Sequence, residues 1–95
     1  MNVRVGPDII REEFIGLEAE VVASRHPGYV GIRGRIVDET RNMLVIEHGG
    51  RRKMVPKAVC TFHFTWPDGT VVEIDGRLIV GRPEDRLKRR LRRRW

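Results

Sequence analysis

The sequence predicts an all-β domain: a small, strongly bent antiparallel β-barrel of about six strands with a short helix at each end. Three observations predict it. Between Leu17 and Val80 the chain breaks into short alternating apolar and polar runs divided by Gly, Pro, Asn and Asp. Before and after that stretch the apolar spacing becomes helical. A chain of 95 residues supports one core, and several short strands hide their edges only by curling closed.

The elements follow in order. Residues 8–16, DIIREEFIG, read as a short helix that Asp8 caps, with Glu12 and Glu13 in its early turns and Gly16 at its end. Ile10 and Phe14 share a face with Ile9 beside them, and so short a helix is stable only if that face is covered. Ile9, Ile10 and Phe14 are therefore expected either to dock a protein partner or to cover the barrel. In LEAEVVASR, Leu17, Ala19, Val21 and Ala23 share a face, and HPGYVG is a loop whose His26 and Tyr29 can stack on an unpaired base. In GIRGRIVDE, Ile32, Gly34 and Ile36 face one way and Arg33 and Arg35 the other, with Gly34 where a bent strand wants no side chain. The turn TRN leads to MLVIE, and HGG leads to RRKMVP. AVCTFHFTW is an apolar strand closed by the turn Pro67, Asp68, Gly69, after which VVEID runs to a bulge or turn at Gly76 before RLIV. The expected organisation is one domain over residues 1–95: an N-terminal arm and helix to 16, the barrel over 17–81, and a basic helix over 82–95.

The net charge of +6 is localised. Residues 1–81 carry eleven Lys and Arg against eleven Asp and Glu, so the whole excess lies in RPEDRLKRRLRRRW. That segment sets eight basic residues (Arg82, Arg86, Lys88, Arg89, Arg90, Arg92, Arg93 and Arg94) against Glu84 and Asp85. Pro83 suits a first helical position, the two acids suit the positive end of the helix dipole, and Leu87, Leu91 and Trp95 form a narrow apolar stripe. A solubilising tail, a membrane-surface helix and an RNA-binding arm are the three readings open to it. The predominance of arginine, whose planar fork holds phosphate oxygens and stacks on bases, favours RNA.

Other function classes find little support. Cys60 is the only cysteine, so an internal disulfide and a cysteine-based zinc site are excluded, and a buried apolar role in a strand is expected for it. His26, His48 and His63 have no metal-pair spacing, and no glycine-rich phosphate loop precedes a helix. Asp38 with Glu39, and Glu73 with Asp75, are more simply charge partners or turn residues than metal ligands. We expect no catalytic residue, no metal site and no cofactor in this chain. No apolar run reaches membrane-spanning length and no signal-peptide pattern opens the chain, which points to the cytoplasm.

For RNA the expected barrel contacts are Arg33, Arg35, Arg41, Arg51, Arg52, Lys53 and Lys57. The expected arm contacts are Arg82, Arg86, Lys88, Arg89, Arg90, Arg92 and Arg93. Arg33 and Arg35 share a strand face and Arg51 to Lys53 follow a tight turn, so a patch is geometrically reasonable; the alternative is that several pair with Glu39 and Glu47.

Four stretches carry a family resemblance: FIGLEAEV at 14–21, SRHPGYVGIRGRIVDETRNMLVIE at 24–47, KMVPKAVCTFHF at 53–64 and IDGRLIVGRPEDRLKRRLRR at 74–93. Together they resemble the archaeal ribonuclease P protein component 1 family. Gly34, Ile36, Asp38, Asn42 and Leu44 are also similar to the first half of the Sm motif, and Ile74, Gly76 and Arg77 loosely to the second. The resemblance implies an Sm-like barrel in a ribonucleoprotein that removes the 5′ leader of precursor tRNA, with hydrolysis at magnesium ions on its RNA subunit. It further implies ribonuclease P RNA and the enzyme's zinc-ribbon protein subunit as partners, with precursor tRNA met indirectly. A free-standing Sm-like RNA chaperone or ribosome-associated RNA-binding protein is the alternative, and a nuclease acting alone stands third.

Overall fold

The computed structural model describes residues 14–81. Six strands form one antiparallel sheet: β1 (Glu18–Ser24), β2 (Arg33–Glu39), β3 (Met43–His48), β4 (Arg51–Pro56), β5 (Cys60–Thr65) and β6 (Val71–Asp75). Their order is β4-β3-β2-β1-β5-β6, so each hairpin neighbour in sequence pairs in space and β1 alone makes a distant pairing, to β5. Among the described residues the helical elements are three single 3₁₀ turns, Pro27–Tyr29, Lys57–Val59 and Gly76–Ile79. The predicted helices at 8–16 and 82–95, with Ile9, Ile10 and the arm's basic residues, lie outside the described residues, apart from Phe14 to Gly16.

Every strand contributes to one apolar cluster. Ala19 and Val21 of β1, Ile36 of β2, Leu44 and Ile46 of β3, Val55 of β4, Cys60, Phe62 and Phe64 of β5, and Ile74 of β6 are buried together. One sheet can bring its first and last strands onto one core only by bending around it. The bend is built at two bulges, between Val21 and Ala23 in β1 and between Ile36 and Asp38 in β2. Each bulge also changes which residues point inward. Ala23, expected beside Val21 on the buried face, is exposed opposite Thr61. Glu39, outward by simple alternation from Ile36, turns inward opposite Leu44.

Two glycines are required by close approach. A Cβ on Gly34, whose φ is +154°, would stand 1.8 Å from the Glu47 carbonyl oxygen, and one on Gly76 would stand 1.7 Å from that of Lys57. Gly76 opens the 3₁₀ turn Gly76–Ile79, where a bulge or turn was expected. The turn at Pro67 to Gly69 forms as expected: Trp66 N–H donates to Thr70 O at 2.8 Å and Thr70 N–H to Asp68 Oδ1 at 2.9 Å.

Phe14 takes the second of the two roles expected for it, covering the barrel. It is 0% exposed and stacks on Phe64 with ring centroids 4.7 Å apart, and Phe64 in turn stacks on Phe62 at 5.5 Å. Gly16 N–H bonds to Ile36 O at 2.8 Å and holds the segment there. Phe14 therefore completes this chain's own core.

Candidate nucleic-acid interface

The register decides where the basic side chains stand. Residues directly opposite on antiparallel strands share a face. Arg35 faces Glu18 across β1 and Glu47 across β3, Glu47 faces Arg52 on β4, and Arg33 faces Glu20. The outer surface of β1 to β4 is therefore a mosaic in which each strand's charge meets the opposite sign next door. An open depression of about 560 Å³ on this face is lined by Glu18, Glu20, Glu47, Arg33 and His63 among others. Three carboxylates around one guanidinium disfavour a phosphate there.

The basic residues of β4 differ. Arg51, Arg52 and Lys53 are all exposed on a strand that, among the described residues, pairs with β3 alone. Arg52 shares the outer face with Glu47, whereas Arg51 and Lys53 stand opposite His48 and Ile46 on the other face. The strand thus shows cations on both sides of an edge. Arg33, Arg35, Arg51, Arg52 and Lys53 close no ion pair among the described residues. Arg41 is exposed in the turn between β2 and β3, at the opposite end of β3 from Arg51. Six strand residues separate those ends by roughly 17 Å. The structure brings Arg33, Arg35 and Arg52 together, interleaved with carboxylates, and leaves Arg41 apart.

Lys57, expected among the RNA contacts, is a correction. Its side chain is 0% exposed, and its Nζ donates to Glu39 Oε2 at 2.6 Å, Thr40 O at 2.8 Å, Gly81 O at 2.9 Å and Arg41 O at 3.3 Å. An ammonium enclosed by a carboxylate and backbone carbonyls has no surface to offer a phosphate. Its burial follows from chain geometry: Lys57 N–H bonds to Asn42 O at 2.8 Å, which lays the turn after β4 against the β2–β3 turn. The sequence carried a signal for it, since Lys57 interrupts the otherwise uncharged run MVPKAVC.

The acidic pairs have local partners. Asp75 Oδ2 meets Arg77 Nη2 at 2.6 Å, and its Oδ1 caps the following turn by accepting from Arg77 N–H at 3.0 Å. The Arg77 side chain, then its backbone N–H, hold the Asp75 carboxyl below its ordinary value. Glu73 Oε1 lies 2.8 Å from His63 Nε2, and Asp38 Oδ1 accepts from Glu39 N–H at 2.8 Å. Burial pushes the Cys60 thiol up, although its bond to the Ser24 hydroxyl at 3.5 Å opposes the shift. Among the described residues no cluster of His, Cys, Asp and Glu is arranged to hold a metal ion, and no helix is long and apolar enough to cross a membrane.

One feature escaped the sequence reading, and one pair that it singled out is brought together. Arg25 and Arg77 line a smaller depression of about 340 Å³ with Asp75, Ser24 and Cys60, and Arg25 Nη2 reaches Ala58 O at 3.4 Å. His26 and Tyr29 do meet, edge to face at 6.4 Å, with Tyr29 packed on the core and His26 exposed.

Comparison with known proteins agrees with this architecture. The family described as Ribonuclease P/MRP, subunit p29, matches residues 7–89. Ribonuclease P protein component 1 of Pyrococcus furiosus is 55% identical over 86 residues, covering 90% of this chain and 68% of that protein. The protein of the same name from Methanothermobacter thermautotrophicus is 51% identical, covering 90% of this chain and 94% of its own length. That of Methanosphaera stadtmanae is 47% identical, covering 87% and 89%. A solved structure described as Mth11, a homologue of human RNase P protein Rpp29, superposes with a TM-score of 0.59 at 52% identity, covering 78% of this chain and 96% of that one. With the match spanning most of its length and identities near half, the chain belongs to the ribonuclease P/MRP subunit p29 family.

Proposed function

We propose that this chain is a protein subunit of ribonuclease P, which binds the enzyme's RNA and leaves bond breaking to it. The observation that carries the reading is the segregation of charge: a neutral stretch to residue 81, an edge strand whose cations close no ion pair among the described residues, and a terminal segment holding the whole positive excess. Phosphate contacts of that kind position an RNA by shape and backbone rather than by sequence. The contacts we assign are Arg51, Arg52 and Lys53 on β4, Arg41, and Arg82, Arg86, Lys88, Arg89, Arg90, Arg92 and Arg93 in the arm. Arg33 and Arg35 contribute less, because carboxylates flank them.

The bent sheet supports an Sm-like barrel, and the segment before Phe14, with Ile9 and Ile10, is the surface we assign to a second protein, the zinc-ribbon subunit. Magnesium belongs to the RNA, precursor tRNA is met through it, and the assembly works in the cytoplasm. The test is reconstitution. Archaeal ribonuclease P RNA and its other protein subunits are assayed on precursor tRNA with and without this chain. Leader removal at low magnesium should depend on adding it, while the chain alone cleaves nothing. Equal cleavage without it, or cleavage by the protein alone, contradicts the proposal.

A further inference from the structure

We propose that Lys57, buried against Glu39, is a positioning residue for RNA binding: it fixes the root of the basic arm to the β2–β3 turn and so sets where the arm meets RNA. The inference rests on the RNA-binding reading above and adds to it a residue that cannot touch RNA.

Gly81 is the last described residue before the arm begins at Arg82. It is held through both of its backbone polar groups. Its N–H donates to Arg41 O at 2.7 Å, and its carbonyl accepts from Lys57 Nζ at 2.9 Å. Lys57 in turn is fixed by Glu39 Oε2 at 2.6 Å and by Thr40 O at 2.8 Å, where β2 ends and its turn begins. Gly81 is itself buried, so its two bonds are shielded from water.

A hydrophobic side chain of similar volume would fill the space of Lys57 without desolvating a charge, and buried ion pairs add little stability over such a replacement. What an ammonium does that a thioether cannot is bind several carbonyls at once, and here those carbonyls belong to the β2–β3 turn and to the chain exit. The geometry is that of a clip between two segments far apart in sequence. Its consequence lies in effective concentration. An arm that leaves from a fixed point beside Arg41 presents its arginines to RNA already engaged by the body, whereas an arm on a loose root samples a larger volume.

The experiment measures affinity of the full chain for transcribed archaeal ribonuclease P RNA at fixed salt, in a cycle. One variant, Lys57→Met with Glu39→Met, removes both charges of the pair together rather than breaking it from one side. The second replaces Arg89, Arg90, Arg92 and Arg93 with Gln, and the third combines the two. Lys57→Met with Glu39→Met should stay folded, bind about fivefold more weakly and exchange its Gly81 amide faster. In the combined variant the Lys57 and Glu39 replacements should cost no further affinity. A flexible Gly/Ser insert between Gly81 and Arg82 leaves the clip intact and should weaken binding to a similar degree, which covers the case in which the paired replacement unfolds. Parental affinity in the insert variant overturns the proposal, as does an equal loss from the paired replacement whether or not the arm keeps its charge. If the Gln replacements alone leave affinity unchanged, the arm is not an RNA contact and both readings fall; if they weaken binding but the clip variants do not, this one falls alone.

Discussion

Gly34 and Glu47 lie so close across the β2–β3 pairing that a single methyl group on Gly34 would stand 1.8 Å from the Glu47 carbonyl oxygen. No rotamer change relieves that contact, because the obstructing atom is backbone. Gly34→Ala should therefore cost about 3 kcal/mol or more in denaturant unfolding. Gly28→Ala, where the space around the position is open, should leave stability unchanged. A Gly34→Ala protein as stable as the parent would mean that the β2–β3 approach is not as described.

Lys57 and Glu39 behave differently singly and together. Lys57→Ala removes one side of a pair whose carboxylate has 0% side-chain exposure, and breaking such a pair from one side destabilises by about 3 to 5 kcal/mol. Replacing both with methionine should recover most of that loss. Urea titrations of both variants check the claim, and equal losses in the two would refute it.

These two relationships show what was legible in the sequence. The strands were readable because alternation is a local property: Ala19, Val21, Phe62 and Phe64 announce a buried face within a few residues. Glu39 was not, because a bulge between Ile36 and Asp38 reverses the parity on which alternation depends. Lys57 was misread for a related reason. Its acceptors come from the β2–β3 turn and from Gly81, and no local pattern reports that those segments meet. Arg33 and Arg35 were correctly placed outward, but their carboxylate neighbours depend on strand register, which composition does not reveal.

The Asp75–Arg77 pair gives a pH signature. The guanidinium of Arg77 holds the Asp75 carboxyl below its ordinary value of 3.8, so the folded protein binds that proton less readily than the unfolded chain. The pair's contribution is then complete above that ordinary value and is lost as the pH falls through the lower folded value. Because the groups are largely exposed, the effect is small. Asp75→Asn should lower Tm slightly at neutral pH and make no difference in strong acid. A Tm gap that persists or widens in strong acid would run against the assignment.

Charge placement separates the edge strand β4 from the middle of the sheet. Reversing Arg51, Arg52 and Lys53 to Glu should weaken binding to ribonuclease P RNA by about tenfold or more, since each lost phosphate contact also forfeits counterion release. Arg33 and Arg35, already flanked by Glu18, Glu20 and Glu47, should lose less when each is changed to Gln. The comparison is made by filter binding at one salt concentration. The opposite ranking would move the RNA to the outer face of β1 and β2.

The central claim is that a charge-balanced body and a basic arm bind RNA through phosphate neutralisation. Its most direct test is the affinity of the full chain for ribonuclease P RNA as a function of salt, repeated with residues 82–95 removed. If roughly five phosphates are neutralised, log affinity should fall against log salt with a slope of about 4, and removing the arm should flatten the slope and weaken binding by about tenfold or more. A slope of about 1 or less in the full chain, unchanged when the arm is removed, would contradict the account.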